Sequence, residues 1–198
     1  MEQQQFNVLI LEDNERSFDV IKEFITENKD FADNNLLLQI YDKEKSQSIL
    51  ADFIAYKRVP AQYTAEFKNR FERKFKSIMD GFEDKSLICI IDINWDGNKG
   101  QGEKLEDGDD WSGLDFYKEY LAQRRDKLKD IIITTVGKIR PKLKVALVGF
   151  NHIILKNDGG YFSEKVKQNY ITEFKKIVGI TISKKNINGI SEQEAGII

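Results

Sequence analysis

One cysteine, one histidine and two prolines in 198 residues rule out several common designs. Cys89 alone builds no disulfide framework, and a reducing compartment is expected. His152, at the start of a strand-like run, gives no basis for histidine-centred catalysis or a phosphohistidine. Neither sign of charge dominates: 31 Lys and Arg face 33 Asp and Glu, a net charge of −2. Such a balance gives no argument for nucleic acid or for an anionic membrane. No apolar run reaches spanning length, and the opening MEQQQ lacks the basic and apolar regions of a signal peptide. A soluble, cytoplasmic protein is expected. Neither Gly108 nor Gly159-Gly160 sits in a phosphate-loop motif, so nucleotide binding has no basis. There is no internal repeat, and 40% apolar content can fill one core. A single domain over residues 1–180 is expected, with a tail over 181–198.

Five short apolar runs do occur, at residues 6–11, 36–41, 87–93, 130–135 and 151–156, and each reads as a β-strand. Helical stretches separate them. Asn14 and Ser163 can cap two of these helices, over 14–28 and up to Gly179, and Ser112 a third running to about residue 125. A short helix over 140–148 suits Pro141 in its first turn. Between the second and third strands lie two further helical stretches, separated at Pro60. The first carries Ile49, Leu50, Phe53 and Ile54. The second carries Phe67, Phe71, Phe75 and Met79 at spacing four, with Lys68, Arg70, Arg73, Lys74 and Lys76 on its other face. The aromatic stripe reads as core. Any part left exposed would be the candidate surface for a dimer or a partner. Run 87–93, apolar throughout before Asp92, has the composition of a central strand buried on both faces. The alternation predicts a doubly wound, five-stranded parallel α/β sheet with a helical insertion over 43–85.

Ligand groups in such sheets gather beyond the carboxyl ends of the strands. The first strand runs into Glu12 and Asp13, the third into Asp92, the fourth into Thr134 and Thr135, and the fifth into Lys156. Two acids, a third acid, a hydroxyl and an ammonium would meet at one edge. Asp92 is the natural nucleophile for a phosphoryl group. Carboxylate attack on phosphorus brings like charges together and calls for a divalent cation, for which carboxylate oxygens suit Mg²⁺.

These fragments — VLILEDN at 8–14, LICIIDIN at 87–94, SGLDF at 112–116, IIITT at 131–135 and IILK at 153–156 — resemble the receiver domain of two-component response regulators. The resemblance spans residues 6 to about 178. It implies a CheY-like, flavodoxin-like fold with Asp92 as phospho-acceptor and a histidine kinase or phosphotransfer protein as donor. It also implies Mg²⁺ held by Glu12, Asp13, Asp92 and the backbone carbonyl of Asn94. Lys156 would pair with phosphoryl oxygens, and Thr134 would supply the switching hydroxyl, with Thr135 as its neighbour. No output domain is recognisable, so signalling would pass through a partner, a homodimer or the 43–85 insertion. The chain departs from the family at Asn157, where proline is usual, and at Ile153, where an aromatic is usual. A receiver-like interaction module that is never phosphorylated is the alternative.

Two further patterns share Asp92. Asp92, Asn94, Asp96, Gly97 and Glu103 match a calcium loop, but the preceding segment is a strand and Lys99 takes the aliphatic position. The acidic, glycine-rich stretch 96–111 also holds Glu106, Asp107, Asp109 and Asp110, a weaker cation candidate. A haloacid-dehalogenase-type phosphatase would need an acid at Asn94 and a later acidic pair, where only Asp158 stands. The protein is expected to be an acceptor rather than an enzyme that turns over.

Overall fold

The computed structural model describes residues 4–95, 112–136 and 141–180. The acidic stretch 96–111, with the Asp96, Gly97 and Glu103 positions of the calcium-loop pattern, lies outside the described residues, as does the tail 181–198. The elements in order are β1 (Gln4–Leu11), α1 (Glu15–Thr26), α2 (Lys29–Asp33), β2 (Leu36–Ile40), α3 (Lys43–Arg58) and α4 (Ala61–Asp80). They continue with β3 (Leu87–Asp92), α5 (Ser112–Phe116), a π-helical turn (Tyr117–Leu121), β4 (Leu128–Thr135), α6 (Pro141–Ala146), β5 (His152–Leu155) and α7 (Glu164–Val178). The strands form one all-parallel sheet in the order β2-β1-β3-β4-β5. This order reverses direction between β1 and β3, the doubly wound arrangement that places a crevice at their carboxyl ends.

Strand parity sorts the core into two layers. Leu9, Leu11, Cys89, Ile91, Ile131 and Ile133 pack under α3, α4, α5 and α6. Val8, Ile10, Ile88, Ile90, Ile132 and Ile154 pack under α1, α2 and α7. All six residues of β3 are buried, as expected for a strand covered on both faces. Each fully buried aliphatic side chain contributes about 1.5–3 kcal/mol.

Both stretches between β2 and β3 are helical, and α3 and α4 lie antiparallel: Lys74 reaches Ser48 and Asp52, four residues apart on α3. Their aromatic stripe is core. Phe53, Phe71 and Phe75 bury their rings against Phe116 and Tyr120, and Phe67 packs at the margin.

Two stretches differ from the sequence expectation. Helix α1 stops at Thr26, and a separate turn, α2, follows, capped by Asn28 and pinned by Phe31 against Phe174. Helix α5 gives way to a π-helical turn that ends at Leu121, short of residue 125. The reason is tertiary: the chain must turn at Arg124, which pairs with Asp80, to start β4 at Leu128 beside Leu87. Among the described residues, no helix is long and apolar enough to cross a membrane.

Candidate functional site

Each of four strands carries an isoleucine on the α1/α7 face followed, two residues later, by a polar group: Ile10 and Glu12, Ile90 and Asp92, Ile132 and Thr134, Ile154 and Lys156. Side chains two apart on a strand share a face. The four polar groups therefore end four apolar rows on one side of the sheet. Asp92 pairs in register with Thr134, and the Lys156 N–H bonds the Thr135 carbonyl at 2.8 Å. Thr135 belongs by parity to the opposite face, with Ile131 and Ile133. That separates the two threonines: Thr134 alone faces the acids.

The Lys156 ammonium donates to Glu12 Oε2 and to Asp92 Oδ2, each at 2.9 Å. All three side chains are almost fully buried. Asp13, half-exposed at the turn after β1, completes a cluster in which one carboxylate oxygen each from Glu12, Asp13 and Asp92 lies within 4.8 Å of the others. Asp92 Oδ1 is buried and has no hydrogen-bond partner. Asn94 sits beside it, and its backbone N–H favours the Asp92 carboxylate.

Burial is the main influence on the acids. It pushes Glu12 up to about 7, aided by Asp92 and opposed by Lys156. It pushes Asp92 up to about 6, opposed by Lys156 and the Asn94 N–H and aided by Asp13. For Lys156, burial works against the charge, but the Asp92 and Glu12 carboxylates outweigh it and hold the pKa above its ordinary value.

The residues fit a divalent cation on this structure's own evidence. Three hard oxygen donors converge, one buried carboxylate oxygen is orphaned, and three carboxylates, once ionised, against one ammonium leave an excess of two negative charges. Nothing in the donor set singles out Mg²⁺ among the hard divalent cations. A pH dependence follows. Glu12 ordinarily ionises near 4.5 and Asp92 near 3.8, so between those values and about 7 the folded protein holds protons that the unfolded chain has lost. Rising pH therefore costs the metal-free fold stability through that window, and a cation that binds only the ionised acids recovers it. The rise in Tm produced by Mg²⁺ is expected to be small near pH 5.5 and largest near pH 8. An increment that ignores pH would show that the cation binds elsewhere.

The structure brings Glu12, Asp13, Asp92, Thr134 and Lys156 to one edge, while His152 and Asp158 are engaged in other pairs. His152 begins β5, at the opposite end of that strand from Lys156, where its ring bridges Glu173 (2.6 Å) and Asp130 (3.2 Å). Asp158 is occupied by Lys165 at 2.9 Å. Three further residues lie near it whose contacts the sequence alone does not give. Gly113 opens α5 hard against the Asp92 carbonyl, with its N–H on the Ile93 carbonyl at 3.1 Å. Tyr161 reaches from the β5–α7 loop to the Ser17 hydroxyl at 2.9 Å, close by the Asn14 cap that ends β1's crossover into α1. Tyr170, on α7, buries its hydroxyl next to Thr134. In helical spacing Tyr170 reads only as a core residue, and nothing in the pattern says where its hydroxyl points.

Comparison with protein-family models, curated proteins and solved structures gives no match to this chain. The chemistry therefore rests on the geometry: an acid, lysine and hydroxyl cluster at the carboxyl edge of a doubly wound sheet.

Proposed function

We propose that the protein is a receiver-type phospho-acceptor that takes a phosphoryl group onto Asp92 from a phosphohistidine on a histidine kinase or phosphotransfer protein. The observation that carries this reading is Asp92 Oδ1. It is a buried carboxylate oxygen without a hydrogen-bond partner, on the residue whose other oxygen Lys156 holds. In the transfer, an Asp92 oxygen attacks phosphorus. The P–N bond breaks and a P–O bond forms, and the imidazole departs with the electron pair, protonated on its other nitrogen. No proton has to be moved by the site.

Glu12, Asp13 and Asp92 would hold Mg²⁺, with the Asn94 backbone carbonyl as the further ligand that the receiver resemblance implies, and the ion would supply charge neutralisation for an anion approaching an anion. Lys156 offers its ammonium to the phosphoryl oxygens, and Thr134 its hydroxyl. The setting is cytoplasmic. Helices α3 and α4 are on this reading an insertion in the receiver fold. With Phe71 and Phe75 buried, any dimer or effector contact through 43–85 would use the outer, charged faces, where Arg70 and Lys74 already approach Asp52.

Incubation with acetyl phosphate and Mg²⁺ is expected to add one phosphoryl group, seen by intact mass. Asp92→Asn is expected to abolish it. No adduct on the unaltered protein, or an unchanged adduct on Asp92→Asn, would sink the reading.

One observation favours a second reading. Lys156 satisfies Glu12 and Asp92 at 2.9 Å each, a closed ion-pair network that could serve structure alone, in an interaction module that is never phosphorylated. That module would take no phosphoryl group and would keep its stability when Mg²⁺ is removed at pH near 8.

A further inference from the structure

Row by row, α7 covers the same face of the sheet that ends in the site. Tyr170 packs in the cluster of Ile90, Ile132 and Ile154, against the Phe24 ring at a centroid distance of 6.0 Å. Thr134 is the next residue beyond Ile132 on that face, and both Thr134 and Tyr170 are wholly buried. The Tyr170 hydroxyl has no hydrogen-bond partner of good geometry, although the Thr134 hydroxyl is its neighbour. Thr134 in turn donates to the Ile91 carbonyl at 3.4 Å, a long and weak bond. Two buried hydroxyls thus lie side by side beneath the acids, one bonded weakly and the other without a well-formed hydrogen bond. A buried unpaired hydroxyl costs stability and calls for an explanation.

We propose that Tyr170 is a positioning residue for Thr134: when Thr134 turns its O–H from the Ile91 carbonyl to the phosphoryl group on Asp92, its oxygen accepts a hydrogen bond from the Tyr170 hydroxyl. This deepens the phospho-acceptor reading and rests on it. The geometry supplies each part. A threonine hydroxyl that donates to an anion becomes a better acceptor, and a chain of two hydroxyls is stronger than its separate links. The donor is already in place, dry and unspent. Burial above all, with the Glu12 and Asp92 charges adding to it, holds the Tyr170 pKa well above its ordinary value, so the hydroxyl stays protonated and able to donate. Because Tyr170 sits on α7, occupancy of Asp92 is felt by that helix through a single hydrogen bond.

The test uses the full chain, acetyl phosphate and Mg²⁺, and reads both Tm and the rate of Asp92 adduct formation. Tyr170→Phe keeps the ring and removes only a hydroxyl that has no partner at rest, so its Tm is expected to equal or exceed that of the unaltered protein. Its adduct is expected to form up to about tenfold more slowly, the upper end of what one neutral hydrogen bond is worth. Thr134→Ala is expected to slow formation comparably, and Tyr170→Phe to add nothing in that background. Three results overturn the proposal alone: adduct formation in Tyr170→Phe within twofold of the unaltered rate, an additive loss in the double variant, or a Tm lowered by Tyr170→Phe. Absence of any adduct on the unaltered protein overturns the phospho-acceptor reading itself and takes this one with it.

Discussion

Lys156→Met is expected to lower the Tm by about 10 °C near pH 8, and most of that loss should return on acidification to about pH 6 or on addition of Mg²⁺. Among the described residues, Lys156 is the only cation whose ammonium lies between Glu12 and Asp92, and its side chain and theirs are each at most 6% exposed. Methionine keeps most of the volume, so packing changes little. What disappears is the charge that lowers the pKa of both acids. Removing one partner of a buried ion pair typically costs about 3–5 kcal/mol, because the other charge is left uncompensated. For a chain of this size that corresponds to a Tm shift of roughly 10 °C.

The sign of the recovery follows from the same charges. Both acids are already raised by burial, and without Lys156 they rise further, so mild acid protonates them and removes the repulsion. A divalent cation does the same by ligation. The variant Glu12→Gln/Asp92→Asn/Lys156→Met, which carries no charge at these three positions, should regain most of the stability without either treatment. A Lys156→Met protein that melts with the unaltered one near pH 8, measured without divalent cation, would show that the ammonium does not hold the acids.

The site was legible because buried parallel strands write themselves as contiguous apolar runs, and the sequence marks where each run stops. Glu12, Asp92, Thr134 and Lys156 each stand two residues beyond an isoleucine of the α1/α7 face, so period-two parity alone brings them to one side. The same parity separates Thr134 from Thr135. Local signals also served two helix starts: Asn14 and Ser163 each accept a backbone N–H at the N-cap.

What escaped is what tertiary contacts decide. Five residues of α2 are too few for a periodic signature; the Asn28 cap, Phe31 packed on Phe174 and the Asp30–Lys175 pair hold them. The π-helical turn after α5 follows from the need to deliver Leu128 to Leu87, a constraint 41 residues away in the chain. The antiparallel lie of α3 on α4 depends on Lys74 meeting Asp52 and on Phe53 meeting Phe71. Tyr170 reads from its spacing as a core aromatic and Gly113 belongs to the SGLDF fragment, but their contacts with Thr134 and with the Asp92 carbonyl exist only in three dimensions.

Gly113→Ala is expected to damage the site more than its size suggests. In the first turn of a helix, alanine is normally the better residue, by up to about 1 kcal/mol over glycine. Here that gain is overwhelmed. A Cβ on residue 113 would stand 2.0 Å from the Asp92 carbonyl oxygen, 3.0 Å from its carbonyl carbon and 3.0 Å from Ile91 Cγ2. Two of these neighbours are backbone atoms of a fully buried strand, so no flexible side chain can yield. Either α5 lifts off β3, breaking the Gly113 N–H bond to Ile93 at 3.1 Å, or the end of β3 tilts. Overpacking of this kind costs about 1–3 kcal/mol, here against backbone and so toward the upper end.

The second route carries the functional consequence. Tilting the Asp92 peptide swings its carboxylate, and the 2.9 Å contact with Lys156 and the 4.8 Å convergence with Glu12 and Asp13 both depend on where that carboxylate points. The expected result is a Tm lowered by several degrees, with the Mg²⁺-induced increment near pH 8 largely lost and adduct formation from acetyl phosphate reduced at least tenfold. Gly113→Ser should behave alike, since the clash is made by Cβ. If Gly113→Ala melts as the unaltered protein does and keeps its Mg²⁺ increment, the close approach of α5 to Asp92 plays no part in shaping the acid cluster.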